Sequence, residues 1–374
     1  MNTYSQERLV NFLKQRSFTA LLLSNPHSLT WLTGYAPSIQ TGPSPFEGGP
    51  ALAWVVGEQV TLLLSDAEAG AAKACGVDFQ EYLAYTIDAP IAGLLNQEQA
   101  LVKVLTASGA MKGNVGVEMN QIAPPLLERV RELLPLATLL PIDGLLDPLR
   151  AVKSLPELER LRAALALCDL AQAETKKLIQ PGRTEIEVWG GMKARLELEV
   201  GGRLPVLADF IAGARTAEIG GLPGRYVLQP GDAVIADIVP RLGGYWGDNA
   251  GTHFVGEPSQ ELNKIYTVVL ETLRRGIQMV RPGLKACDLD SQLRGLIRDQ
   301  NYPVYPHHSG HGLGVSYHEE PRLVPYNEMK LEPGMVIAIE PGIYIPGVGG
   351  IRLEDVVLVT AAGCEVLTSH LGNN

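Results

Sequence analysis

Cysteine is scarce in this 374-residue chain. Cys75, Cys168, Cys287 and Cys364 stand far apart, and no two of them form a C-x-x-C spacing. That argues against a disulfide framework and against a thiolate zinc site, and it fits a reducing compartment. A basic stretch with interleaved aromatics is also missing. With a formal net charge of −10, nucleic acid is not an expected partner. No apolar run approaches the ~18 residues that span a bilayer, so no membrane partner is expected. The amino terminus, MNTYSQERLV, is polar and lacks a signal-peptide core. The expectation from these absences is a cytoplasmic protein. Neither a P-loop nor a G-x-G-x-x-G following a strand occurs, so phosphate and dinucleotide binding lack their usual cradle.

What the chain does have is apolar content, 46% of residues, and length enough for two domains with real cores. Residues 1–150 alternate strand-like and helix-like runs and read as an α/β domain. Helices are expected over Gln6–Lys14, Ser28–Leu32, Gln97–Thr106 and Pro124–Leu134, and one capped by Ser65-Asp66 through Ala74. A strand is expected over Thr19–Ser24. A hairpin is expected from Ala51–Val56 to Gln59–Leu64, turning at Gly57-Glu58. The Pro/Gly/Ser-rich segment 37–50 reads as a surface loop. The pattern changes near 148–155, where a domain boundary is placed. A long helix follows over Pro156–Gln180, then helices over Glu185–Val200 and up to Arg298.

Two stretches in the second half pose an electrostatic problem. Gly231–Phe254 reads as strand, turn at Leu242-Gly243-Gly244, and returning strand. A hairpin centred between 242 and 243 sets Asp237 opposite Asp248, with Cβ atoms about 4.5–5.5 Å apart. Two buried like charges that close are destabilising unless one is protonated or a cation sits between them. Gly334–Val359 repeats the arrangement: Glu340 and Glu354 are symmetric about Gly347. The approaches match too, LQPGDAVIADIVP before Asp237 and LEPGMVIAIEPGI before Glu340. Asp237 and Glu340 are 103 positions apart, as are Pro230 and Pro333, while Pro181 and Pro282 are 101 apart. This is an internal duplication, each copy with helices outside and curved antiparallel sheet inside, each delivering a carboxylate pair to one centre. One such pair alone would read as a partly exposed cross-strand pair; two with the same offset read as a metal site.

Between the hairpins lies a histidine cluster, His307, His308, His311 and His318, with glycines on both sides of His311. Four carboxylates and an imidazole form a hard, oxygen-rich donor set. It suits two Mn²⁺, Co²⁺ or similar ions better than a structural zinc. Two such ions a few ångströms apart lower the pKa of a water and polarise a carbonyl. His27 and His370 read as surface residues, and His253, of opposite strand parity to Asp248, as off the site. Glu319-Glu320 reads as solvated, with placement of its loop near the site as the alternative.

These residues resemble the Xaa-Pro aminopeptidase/prolidase family, the pita-bread metallopeptidases of the creatinase/methionine aminopeptidase superfamily. VIADI…GYWGD, SGHGLGVSYHEEP and AIEPGIY…GIRLED carry the resemblance over about 150–370. SNPHSLTWLTGY at 24–35 carries a weaker one to the creatinase-type N-terminal domain. The implied fold is α+β. A pita-bread catalytic domain with an internal pseudo-twofold occupies 151–374, and a creatinase/prolidase-like α/β domain occupies 1–150. The resemblance implies two divalent ions, Mn²⁺ first with Co²⁺ or Zn²⁺ as alternatives, held by Asp237, Asp248, His311, Glu340 and Glu354. Glu340 is then also an acid/base group, His318 contacts the scissile carbonyl, and His307 lines the proline pocket. Arg352 holds the acidic ligands, and Tyr344 lies close to the substrate. The implied activity is hydrolysis of the Xaa-Pro bond of dipeptides or short peptides, in a homodimer.

The chain departs from the family at one point. A histidine is usual about seven residues after a Ser-Gly ahead of the first hairpin; here Gly213 is followed at that distance by Gly220. Beyond Asp248, Asn249-Ala250-Gly251-Thr252 replaces the usual Thr-Arg-Thr. Arg215 or Glu218 could stand in for the missing imidazole. Two alternatives therefore remain: a creatinase-like C–N hydrolase of a small non-peptide substrate, and a weakly active or non-catalytic peptide-binding protein.

Overall fold

The structure, a computed structural model, describes residues 3–39, 46–109 and 112–372. The chain divides into two compact units, Met1–Arg150 and Ala151–Asn374. The first holds helices α1 (Thr3–Arg16), α2 (Pro26–Thr33), α3 (Ala69–Ala74), α4 (Gly93–Ser108), α5 (Pro124–Leu133) and α6 (Asp147–Arg150). Its strands are β1 (Phe18–Leu23), β2 (Leu52–Val56), β3 (Gln59–Ser65), β4 (Asp78–Tyr82), β5 (Lys112–Val117) and β6 (Leu136–Pro141). They form one mixed sheet in the order β4-β3-β2-β1-β5-β6. The hairpin at Gly57-Glu58 forms as expected, Val56 pairing with Gln59. Ser65 makes no capping bond; Asp66–Glu68 forms a short 3₁₀ turn that runs into α3. Of the loop expected over 37–50, residues 40–45 lie outside the described residues.

The second unit carries α7 (Leu155–Leu178), α8 (Glu185–Val200), α9 (Gln260–Met279) and α10 (Ala286–Asp299). Its strands are β7 (Val206–Ala212), β8 (Ala233–Leu242), β9 (Tyr245–Trp246), β10 (Asn249–Phe254), β11 (Gly310–Gly312) and β12 (Glu319–Leu323). They continue with β13 (Val336–Ile339), β14 (Gly342–Ile345), β15 (Gly349–Arg352), β16 (Asp355–Val359) and β17 (Cys364–Val366). One sheet runs β10-β8-β7 with β9 paired to β8. The second runs β12-β11-β13-β16-β17, and β14-β15 forms a short ribbon.

The duplication is built into the backbone. Thr184 bridges Val227 just before α8, and Lys285 bridges Lys330 just before α10. Gly182 and Gly283 donate their N–H to Leu228 and Leu331. They adopt φ 89° and 84°, a region open to glycine and costly for other residues. Thr184 and Glu187 form a reciprocal capping box that starts α8 where the sequence places it.

Each sheet lays one face on its own helix pair. Leu167, Ala171, Val188, Met192 and Leu196 pack on Phe210, Val234, Ala236 and Ile238. Ile265, Val269, Leu273, Leu289, Leu293 and Ile297 pack on Ile337, Ile339, Val357 and Val359. Full burial of each of the larger side chains, Val, Leu, Ile, Met or Phe, contributes roughly 1.5–3 kcal/mol. Because side chains alternate along a strand, Asp237 on β8 and Glu340 just after β13 are turned away from those helices. The helix layers thus fix which face carries the carboxylates.

His253 lies on the helix-facing side of β10. Its Nε2 is 2.8 Å from Gln172 Oε1, and burial, with lesser effects of His370 and Lys176, pushes its pKa down to about 4. An unfolded histidine titrates near 6.5. The folded pKa is the lower one, so the stability is present above pH ~6.5 and is lost as pH falls toward ~4. Urea unfolding is expected to show wild type losing about 2 kcal/mol more than His253→Gln between pH ~7.5 and pH ~5. Equal losses would remove His253 as the cause.

Candidate metal centre

The first hairpin turns on Gly243-Gly244, with φ 56° and 88°, the positive pair that a tight two-residue turn requires. Leu242 is therefore a strand residue, paired with Tyr245. This corrects the expected register: Asp237 faces Ala250, not Asp248. The correction is two positions along the partner strand, so Asp248 keeps the same face and meets Asp237 diagonally. In the second hairpin the expected symmetry about Gly347 holds in both ladders. Gly342 pairs with Arg352 and Ile339 with Asp355, which brings Glu340 and Glu354 opposite each other between them.

His311 sits at the middle of β11, paired with Ala338. A Cβ on Gly310 would overlap the Ala338 carbonyl, and one on Gly312 the Glu320 carbonyl. The flanking glycines thus let β11 press between its two neighbours. His311 Nδ1 lies 2.9 Å from the Gly312 carbonyl, which can only accept, so Nδ1 carries the proton. Nε2 is left with its lone pair 3.7 Å from Asp248 Oδ2 and 3.6 Å from Glu340 Oε1. Burial pushes His311 down in pKa and keeps it neutral. Donor atoms of Asp248, His311 and Glu354 all lie within 4.8 Å of one another.

Like charges set the electrostatics. Burial first, then neighbouring carboxylates, push Asp248 and Glu354 well above the carboxylate range. Asp237 rises to about 6, burial outweighing Arg352. Burial also works against an ionised Glu340, but His308, itself pushed up in pKa by this carboxylate, outweighs it and holds the group at about 2.

Around this centre opens a cavity of about 480 Å³. His307, His308, His318 and Tyr317 line it together with Asp209, Glu218, Ile219 and Gly220. Burial pushes His307 and His318 down to about 4. The histidine loop is anchored from α10, where Arg294 donates to the carbonyls of Tyr305 and His307 at 2.8 and 2.6 Å. Tyr344, expected against the substrate, instead stands behind the wall, its hydroxyl 2.9 Å from His307 Nε2 and 3.0 Å from Arg352 Nε. Arg352 shares the face of Glu354 and reaches Asp237 Oδ2 at 2.5 Å.

Three readings need correction. His370 is not a surface residue: its side chain is buried behind β10 against Asn249 and the Ala250 carbonyl, 3.2 Å from each. No local pattern announces this, because it arises where the segment after β17 packs against Asp169 of α7 and against β10. Glu319 is not solvated; it forms a buried ion pair with Lys153 at 2.5 Å. His308, a member of the histidine cluster to which the sequence gives no role of its own, lines the cavity with Nδ1 2.9 Å from Glu340 Oε1. Asp209 was missed altogether. The one signal for it is an acid inside an otherwise apolar strand, LADFIA.

The model of metallopeptidase family M24 matches residues 159–361, and the creatinase/prolidase N-terminal domain matches residues 6–152. The chain belongs to family M24. It is 31% identical to the Xaa-Pro dipeptidase of Pyrococcus furiosus over 97% of both chains. It superposes on the prolidase of Pyrococcus horikoshii with a TM-score of 0.81 at 25% identity, covering 97% of each chain. An Xaa-Pro dipeptidase from Bacillus anthracis gives 0.81 at 28% identity, covering 97% of this chain and 96% of that one. The fold is thus the pita-bread architecture with its creatinase-type N-terminal domain, and the protein is a metallopeptidase.

The M24 donor set fits a divalent cation on local chemistry. Glu340 Oε1 and Glu354 Oε1 are buried without a hydrogen-bond partner, and His308 Nδ1, near as it is to Glu340, is misaligned for one. Unpartnered buried acceptors are costly, and hard oxygen donors around one imidazole are what such ions take. The M24 chain also accounts for its missing histidine. A Cβ on Gly220 would overlap the Asp209 carboxylate, so Asp209 fills the space that a side chain at 220 would need.

Proposed function

We propose that this metallopeptidase hydrolyses the bond between an N-terminal residue and proline in dipeptides or short peptides. Residues 151–374 act as its catalytic domain and residues 1–150 as its creatinase/prolidase-like N-terminal domain, in a homodimer. The observation that carries the reading is the convergence of Asp248, His311 and Glu354 within 4.8 Å beside the unpartnered Glu340 Oε1. The names of the relatives give the substrate class. Asp237, Asp248, His311, Glu340 and Glu354 would hold two divalent cations, Mn²⁺ first. Cations held there supply Lewis-acid polarisation of the scissile carbonyl and lower the pKa of water.

The chain's own groups do the rest. His318, neutral at physiological pH, donates a hydrogen bond to the carbonyl oxygen as it gains charge. Glu340 takes up the proton released by the attacking water and returns it to the proline nitrogen. His307 borders the proline side of the cavity, backed by Tyr344. Arg352 keeps Asp237 aimed at the centre.

Stripped protein given Mn²⁺ is expected to release free proline from Ala-Pro. No release with Mn²⁺, Co²⁺ or Zn²⁺ would sink this reading. His318→Gln is expected to lower kcat about 10²–10³-fold with little change in KM. A second reading, a C–N hydrolase of a small non-peptide substrate, is favoured by one feature, the carboxylate of Asp209 where the family carries an imidazole. Screening small amides and guanidino compounds alongside Ala-Pro separates the two. A merely peptide-binding protein would keep its affinity in Asp248→Ala.

A further inference from the structure

Asp209 is directly paired with Asp237 across β7 and β8, which sets a second carboxylate beside the metal centre. Arg352 Nη1 lies between them, 2.5 Å from Asp237 Oδ2 and 3.2 Å from Asp209 Oδ2. The guanidinium is thus held chiefly by Asp237. Asp209 also accepts the Gly221 N–H at 2.9 Å. A carboxylate offers about four lone-pair sites, so these two contacts leave capacity. The side chain is 38% exposed and faces the cavity.

The wall is shaped to present it. Gly220 carries no side chain, and the Asp209 carboxylate occupies the space where one would begin. Ile219, next to it, is held at φ 78° and ψ −54°, a conformation that β-branched residues avoid. Its carbonyl is held by Arg352 Nη2 at 2.7 Å. Glu218 adds a second carboxylate to the same wall, and Arg352 is the one Lys or Arg among the lining residues. An imidazole at 220 could donate or accept a hydrogen bond. A carboxylate accepts only, and it favours a charged donor.

We propose that Asp209 is a specificity-determining residue that recognises a cationic nitrogen on the substrate residue N-terminal to the scissile bond. That nitrogen is either the α-ammonium or the head of a basic side chain. The assignment rests on the Xaa-Pro reading. The histidine wall borders the proline side, so the acidic wall faces the other residue. Leu207 and Val239 on this wall offer apolar contact to a methylene stem, with Glu218 at the rim for its charged head.

The test compares Ala-Pro, N-acetyl-Ala-Pro and Lys-Pro with wild type and Asp209→Asn, as kcat/KM and as thermal protection by each compound. The expected result is a preference for the cationic compounds in wild type that shrinks about 10- to 100-fold in Asp209→Asn, mainly through KM. A loss for Ala-Pro relative to its N-acetyl form assigns the α-ammonium; a loss confined to Lys-Pro assigns the side chain. Equal losses for all three would reduce Asp209 to a support for Arg352 and overturn the proposal. If nothing is hydrolysed, the peptidase reading fails. Thermal protection then still decides this inference: charge-independent protection refutes it, and charge-dependent protection that Asp209→Asn abolishes upholds it.

Discussion

Asp248→Asn is expected to lower Xaa-Pro hydrolysis at least about a thousandfold and at the same time to raise the melting temperature of the metal-stripped protein. The first effect follows from losing a donor at the centre, where cations contribute several kcal/mol to the barrier. The second follows from burial. Asp248 is surrounded by Asp237, Glu340 and Glu354, and its ionised form is disfavoured by the lack of water and by those neighbours. An amide of nearly the same shape removes that cost. The signs should therefore be opposite: the variant gains stability when stripped and gains less than wild type when Mn²⁺ is added. Bound metal by elemental analysis, kcat/KM, and melting with and without chelator read all three. A variant that is less stable when stripped, or that binds metal as wild type does, would mean that the acidic cluster is neutralised by something other than cations.

Replacing Arg352 by Met is expected to be the more disruptive change for the fold. The guanidinium is buried and makes four contacts: Asp237, Asp209, the Ile219 carbonyl and the Tyr344 hydroxyl. Removing one partner of a buried ion pair costs roughly 3–5 kcal/mol, because the carboxylates remain without their counter-charge. Asp237 would also lose its orientation, so activity should fall with stability. Arg352→Lys tests the geometry: one ammonium cannot reproduce a planar fork that reaches four groups. Partial recovery of stability with continued loss of activity is the expected outcome, read by urea unfolding and proline release. Full activity in Arg352→Lys would leave charge alone as the requirement.

Much of the centre was legible because its signals are local. Strand periodicity and glycine turns put each carboxylate pair on one face of its hairpin. Matching offsets tied the two hairpins together, and the glycines around His311 marked a crowded strand. The same local reasoning misplaced Asp248 by two positions, because it counted Leu242 as part of the turn rather than as the last strand residue before Gly243-Gly244. The face survived the error since side chains alternate with a period of two.

What the chain's order of residues determined by itself was the family, the duplicated hairpins and the face that carries their acidic residues, all consequences of short-range pattern. Tertiary structure alone decided that Asp209 stands beside Asp237 and fills the space above Gly220, that Lys153 meets Glu319 from 166 positions away, and that His370 is covered. Those contacts join segments with no shared pattern. The pairing of β7 with β8 and the return of remote segments onto the sheets bring such groups together, and burial then forces each charge to find a partner.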